Sequence, residues 1–405
     1  MRLVTMKAVA VTSLLLWAAA SCHAQQNVKS SPSPGAVNIA RAALAAVKDG
    51  EMCFRLSTPT EVIALLGAPS KEEEKGDGQR KTLILEYPGV QVYFGPFAEG
   101  SRYGLFQVVV EGKPVDIGRD RMITLRRVDD LSKLDMFSGV ANMSLAKLDL
   151  TDHLSQLSRL PFDNRTKWPS AERLPAGFEP AKLLESGKNP GLGVRGLHKQ
   201  GIDGRGVHIA IIDQPLLREH SEYKDRVVEY RAIETEAIPP QMHGAPVTSI
   251  AVGKTCGTAP AASVHYYAGP MWRWWDEHCK PYASLLDRIV EENRDVPVRQ
   301  RVKVVSISLG AFSQWPDHEL WVKALKHAAD EGILVVSCDS ADLRITMLKR
   351  ALTSDPDLPT SYVSQWGFGS RNALGVPAGN RTTASFSGPN DFIFWRDAGA
   401  SWTVP

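Results

Sequence analysis

Neither sign of charge prevails in this chain. Across 405 residues, 47 Lys and Arg stand against 45 Asp and Glu, which leaves a formal charge of +2. Without a basic excess there is no electrostatic footprint for a polyanion, so no nucleic-acid partner is expected. Nor is there a membrane-length apolar run: the stretch over 8–20 is too short to cross a bilayer. Cysteine is scarce, with five in all, and neither a Cys-x-x-Cys nor a His-Glu-x-x-His spacing occurs, which removes the usual grounds for zinc. The short loop after His243 lacks an acidic or Asn-rich cluster of the kind calcium needs. No metal or cofactor is expected.

What is present suits an exported globular protein of two domains, with 43% hydrophobic and 23% charged residues. Residues 1–24 read as a signal peptide: Arg2 and Lys7, the apolar stretch, then Ser21-Cys22-His23-Ala24, with cleavage after Ala24. A second reading takes Ala19-Ala20-Ser21-Cys22 as a lipoprotein box with Cys22 acylated, the only membrane attachment expected. Both readings send the chain out of the cytosol, to the medium, the periplasm or the cell envelope. Cys53, Cys256, Cys279 and Cys338 then lie in an oxidising compartment. Four cysteines permit three pairings, between which the sequence does not choose, although Cys256 and Cys279 fall in loops around one short strand and could pair; unpaired, buried thiols are the alternative. The three Asn-x-Ser/Thr sequons, at Asn142, Asn164 and Asn380, are too common to imply glycosylation.

A polar linker over 25–35 precedes a segment, 36–166, whose patterning predicts a small α+β domain: helices over 36–48 and 60–66, strands over 82–87, 90–94 and 103–110. Leucines at short intervals over 123–162 hint at degenerate leucine-rich turns, but a packed helical connector is the preferred reading. A Pro- and Gly-containing linker, 167–190, leads into 191–405, where short apolar runs alternate with helices. Strands are predicted over 207–212, 263–268, 302–309 and 333–337, and helices over 282–292 and 316–331. This is the signature of an α/β fold, a parallel sheet covered by helices on both faces, whose functional residues gather at the carboxyl ends of strands. Asp213 lies at one such end.

Three motifs then follow in order. Asp213 ends the run Val207-His208-Ile209-Ala210-Ile211-Ile212, His243 opens His243-Gly244-Ala245-Pro246-Val247-Thr248-Ser249, and Ser401 sits in Gly399-Ala400-Ser401-Trp402-Thr403-Val404-Pro405. In this order the chain resembles the subtilases, the subtilisin-like serine proteases, over about 189–405. Gly204-Arg205-Gly206-Val207 resembles the family's turn into the Asp strand, and Ser308-Leu309-Gly310 the strand whose backbone pairs with an extended substrate. The resemblance implies that Ser401 attacks a peptide carbonyl, that His243 takes and returns its proton, and that Asp213 orients the imidazole. It also implies a peptide or protein substrate and an acyl-enzyme intermediate.

The chain departs from the family pattern at Gln214-Pro215 and Ala245-Pro246. The oxyanion Asn is replaced within Cys338-Asp339-Ser340-Ala341, which leaves Asp339 or Ser340 as the donor, with Asn380 a third candidate in the wrong part of the chain. These departures motivate a second reading, an envelope or secreted binding protein that keeps the scaffold with little activity. The cluster Trp272-Arg273-Trp274-Trp275 reads as core first and as substrate subsites second. The segment 36–166 is read as propeptide-like or as a recognition domain. The chain is expected to be cut short after the Ser motif, because the helix that should follow Ser401 has only four residues left to build it.

Overall fold

Two compact units emerge in the computed structural model, which describes residues 34–53, 56–76, 81–96, 103–117, 122–134, 139–271, 277–311, 313–338, 345–364, 374–397 and 399–405. Residues 1–24, read as an export signal and including Cys22, the Trp272 to Trp275 cluster, Asp339 and Ser340 lie outside the described residues. The first unit comprises 1–160 and 166–176, the second 161–165 and 177–405. The stretch 167–190, read as a linker, is thus divided between them. Among the described residues no helix is long and apolar enough to cross a membrane.

The first unit begins with α1 (Pro34–Lys48) and α2 (Pro59–Leu66). Thr58 caps α2: its hydroxyl accepts from Glu61 N–H while the Glu61 carboxylate reaches back to Thr58 N–H at 2.9 Å. An antiparallel meander follows in sequence order, β1 (Lys71–Lys75), β2 (Thr82–Tyr87), β3 (Val90–Pro96), β4 (Tyr103–Val110) and β5 (Lys113–Val115). Alternation puts Leu85, Val92, Phe94, Leu105 and Val108 wholly out of water.

The leucine-containing segment departs from the preferred reading. Among its described residues the only α-helix is the single turn α3 (Leu154–Leu157). Instead β6 (Ile123–Thr124) and β7 (Met143–Ser144) pair in parallel, and Ser144 bridges in parallel to Lys167. Rungs separated by about twenty residues have the spacing of leucine-rich turns, and Leu125, Leu145, Leu148 and Leu150 fill the interior behind them. Periodicity missed this because each rung is only two residues long.

The second unit is built on a five-stranded, wholly parallel sheet. Its strands are β9 (His208–Asp213), β10 (Val227–Ala232), β11 (Ser263–Ala268), β12 (Val302–Ile307) and β13 (Leu334–Ser337), in the spatial order β10-β11-β9-β12-β13. It is preceded by β8 (Phe162–Asp163), α4 (Pro180–Gly187) and α5 (Val194–Lys199). One face of the sheet packs Ile211, Val264 and Tyr266 against α6 (Gly244–Val252); the other packs Ala210, Ile212, Val305 and Ile307 against α7 (Lys280–Arg294) and α8 (His318–Asp330). Burial on both faces is why these strands read as near-continuous apolar runs. Each large aliphatic side chain so buried contributes on the order of 1.5–3 kcal/mol. The expected α/β architecture is therefore present.

Beyond the sheet, β14 (Ile345–Arg350), β15 (Tyr362–Ser364) and β16 (Leu374–Pro377) form one small sheet, and β17 (Arg381–Ala384) and β18 (Phe392–Trp395) form another with β8.

Among the described residues no disulfide joins Cys256 to Cys279, so that pairing is corrected. Cys279 belongs to the core cluster on the α7 and α8 face. Cys256 follows α6, whose Val252 belongs to the cluster on the opposite face, and hydrogen-bonds to Glu222 there. The short strand between them in sequence, β11, lies inside the sheet, and they fall on its opposite sides.

Candidate active site

Asp213 sits where the strand order demands a crevice. The order in which strands are laid down switches sides about β9, with β10 and β11 to one side and β12 and β13 to the other, and ligands in such sheets bind outside the carboxyl ends at that point. Asp213 is the last residue of β9, and Ser308 follows the last residue of the adjacent β12. His243 caps the N-terminus of α6.

The first two expected residues meet directly. Nδ1 of His243 lies 2.7 Å from Oδ1 and 3.0 Å from Oδ2 of Asp213. A carboxylate in that position fixes Nδ1–H as the donor, which leaves Nε2 free to accept a proton. Asp213 is 1% exposed and His243 6%, so the pair is shielded from water.

Gln214, a departure from the family pattern, turns out to tie the two loops together. Its backbone N–H donates to Asp213 Oδ1 at 2.7 Å, and its side-chain oxygen accepts from His243 N–H at 3.3 Å. Its carbonyl accepts the Tyr266 hydroxyl. Burial, and then the nearby Asp213 carboxylate, push the Tyr266 phenol well above its ordinary range, so it stays a donor. Gly244 is required by this arrangement, since a Cβ there would lie 2.4 Å from Tyr266 Oη and 2.7 Å from Gln214 O. Gly244→Ala is expected to cost about 1–3 kcal/mol, read by denaturant unfolding, and to displace His243.

The loop after Asp213 is held by His220. Its Nε2 pairs with Asp391 O at 2.8 Å and its Nδ1 accepts from Glu222 N–H at 3.1 Å, a pattern that only the neutral ring satisfies. Burial outweighs the opposing pull of Asp391 and Glu222 and lowers the His220 pKa below its ordinary 6.5. The unfolded chain therefore binds the extra proton more readily, and stability falls as pH drops through that value. Thermal unfolding is expected to occur at lower temperature at pH 5.5 than at pH 7.5, with a smaller difference in His220→Gln.

Ser401 lies on a 3-10 turn, Ala400–Trp402, rather than on an α-helix. It is 7% exposed. Its Oγ donates to Ser308 O at 3.5 Å, while Ser308 Oγ donates to Ser401 O at 3.3 Å. The thiol of Cys338 stands 3.9 Å from Ser401 Oγ. Among the described residues no hydrogen bond joins Ser401 to His243; the link between them is Trp402, whose ring meets the imidazole edge to face at 5.5 Å.

The remaining expected residues are less fully engaged. Leu309 O accepts Cys338 N–H at 3.2 Å, and Leu309 and Gly310 are half-buried. Asp339 and Ser340, the oxyanion candidates, fall outside the described residues. Asn380 is committed elsewhere, donating to Arg350 O at 2.6 Å and accepting from Arg396 at 2.8 Å. Among the described residues no group of three or more His, Cys, Asp or Glu is arranged to hold a metal ion.

No curated protein matches the chain. Among solved structures, the PatG macrocyclase in complex with peptide is 16% identical, with 53% of this chain and 77% of that chain covered and a TM-score of 0.38. The Prenylagaramide maturation protease PagA is 15% identical, with 53% and 76% covered and a TM-score of 0.37. A cold adapted subtilisin-like serine proteinase is 17% identical, with 50% and 72% covered and a TM-score of 0.34. The family model described as the Subtilase family matches residues 204–391, a stretch that includes Asp213, His243 and the whole parallel sheet and stops short of Ser401. Residues 204–391 of this chain belong to the subtilase family.

Proposed function

We propose that this protein is an exported serine endopeptidase in which Asp213, His243 and Ser401 act as a triad. One observation carries the reading: the buried hydrogen bond from His243 Nδ1 to the Asp213 carboxylate, at the crevice end of the sheet and one residue's ring away from Ser401. In the proposed reaction Ser401 Oγ passes its proton to His243 Nε2 and attacks the substrate carbonyl. The imidazolium then gives that proton to the leaving amine, an acyl-Ser401 ester remains, and water activated by the same imidazole releases the acid. Asp213 stabilises the imidazolium. The Ser401 backbone N–H, with Asp339 or Ser340, would donate to the oxyanion. Export through residues 1–24 and docking of an extended peptide along Ser308-Leu309-Gly310 belong to the same proposal.

A specific observation favours a second reading, a binding protein with little activity: the Ser401 hydroxyl is engaged with Ser308 O and not with His243. Treatment of the full chain with a fluorophosphonate probe separates the two. Adduct on Ser401 that disappears in Ser401→Ala supports the enzyme. Absence of any adduct on folded protein supports the binding protein.

A further inference from the structure

We infer that Trp402 is a positioning residue that sets the imidazole of His243 relative to the Ser401 turn, an inference that rests on the proposed serine-protease reading. Trp402 follows Ser401 directly in a turn held by Trp402 N–H to Gly399 O at 3.1 Å and Thr403 N–H to Ala400 O at 2.9 Å. Its ring is 4% exposed and is held between two others, the His243 imidazole at 5.5 Å and 74°, and the Trp395 indole at 5.4 Å and 81°. Trp395 is itself fixed: it is buried in β18, and its Nε1 donates to Thr383 Oγ1 of β17 at 3.0 Å. The far side of the imidazole edge is anchored by Asp213.

The Trp402 indole Nε1 is buried without a hydrogen-bond partner. An indole N–H left unpaired away from water is unfavourable, so the orientation of this ring is set by its contacts with the two neighbouring rings and not by hydrogen bonding. The edge-to-face geometry is the preferred one for aromatic pairs. Because Trp402 and Ser401 share one tight turn, any tilt of the ring moves the Ser401 hydroxyl against Nε2. Trp402 therefore acts through His243 and Ser401 without touching substrate.

The inference requires an aromatic ring at position 402 and does not require an indole N–H. Trp402→Phe is expected to keep kcat within about threefold. Trp402→Leu, similar in volume to much of the lost ring, is expected to lower kcat about ten- to a hundredfold, the size that small misplacements of reacting groups produce, with KM changed less than about threefold. Trp395→Leu, which removes the support behind Trp402, should reproduce the kcat loss. A readout independent of turnover is the proton NMR signal of His243 Nδ1–H, expected sharp in the wild type and Trp402→Phe and broadened or lost in Trp402→Leu.

Equal kcat and an unchanged Nδ1–H signal in Trp402→Leu would overturn the inference. So would a loss confined to KM or to thermal stability. A wild type that neither turns over peptide nor takes up the fluorophosphonate overturns the protease reading instead, and the NMR comparison still decides whether Trp402 holds the ring.

Discussion

Asp213→Asn is expected to lower kcat by about four orders of magnitude while leaving the fold intact. The amide can still occupy the same volume, but with its NH2 turned toward His243 it demands an acceptor at Nδ1, so the proton moves to Nε2, where the base is needed. Errors of tautomer have this size in serine proteases that use the same three groups. Two features make the effect severe in this site. The pair is shielded from water, so solvent does not compensate a misdirected donor. Both carboxylate oxygens face Nδ1, and Oδ1 also accepts from Gln214 N–H, so an amide with its oxygen at Oδ1 still places its NH2 against Nδ1 from the Oδ2 position. Steady-state hydrolysis of a peptide ester, with circular dichroism as the fold control, measures the result.

A second large effect concerns the coupling of His243 and Ser401. His243→Ala and Ser401→Ala are each expected to lower kcat by about six orders of magnitude, and the double variant by no more than either alone, because nucleophile and base act as one unit. Additive losses would mean that the two side chains work separately. That outcome would suit the engagement of Ser401 Oγ with Ser308 O in the unliganded site, and would require substrate binding to leave it unchanged. Pre-steady-state acylation of the three variants measures the coupling.

Much of this frame was legible in the residues because burial on both faces writes strands as apolar runs. β9, β11, β12 and β13 lie within a residue or two of the expected segments, and α7 and α8 follow their apolar stripes. β10 was not legible. Its Glu229 and Arg231 pair with His265 and with the Glu292 carboxylate of α7, so a polar ladder stands where an apolar run was sought. β17 escaped for a related reason: Arg381-Thr382-Thr383 is buried although polar, and Arg381 is accommodated by the carbonyls of Cys256 and Pro377. The two-residue rungs β6 and β7 carry too little pattern to be read at all.

At the site, chain order brought Asp213 and His243 to notice, and their hydrogen bond supplies the local reason for that spacing. Gln214 was visible only as a departure from a motif. Its function as the tie between two loops depends on positions 29 residues apart, which spacing alone does not express. Trp402 likewise carried no assigned role within the final heptad. Its two ring contacts reach back to α6 and β18.

The proposed triad requires that Ser401 become covalently acylated during turnover. Rapid acid quench of the full-length protein with excess peptide ester, followed by digestion and mass spectrometry, tests it directly. The expected result is the substrate acyl group on the peptide that contains Ser401, absent in Ser401→Ala and accumulating more slowly in Asp213→Asn. Hydrolysis with no acylated peptide, or an adduct on the neighbouring Cys338 thiol with Ser401 unmodified, would contradict it.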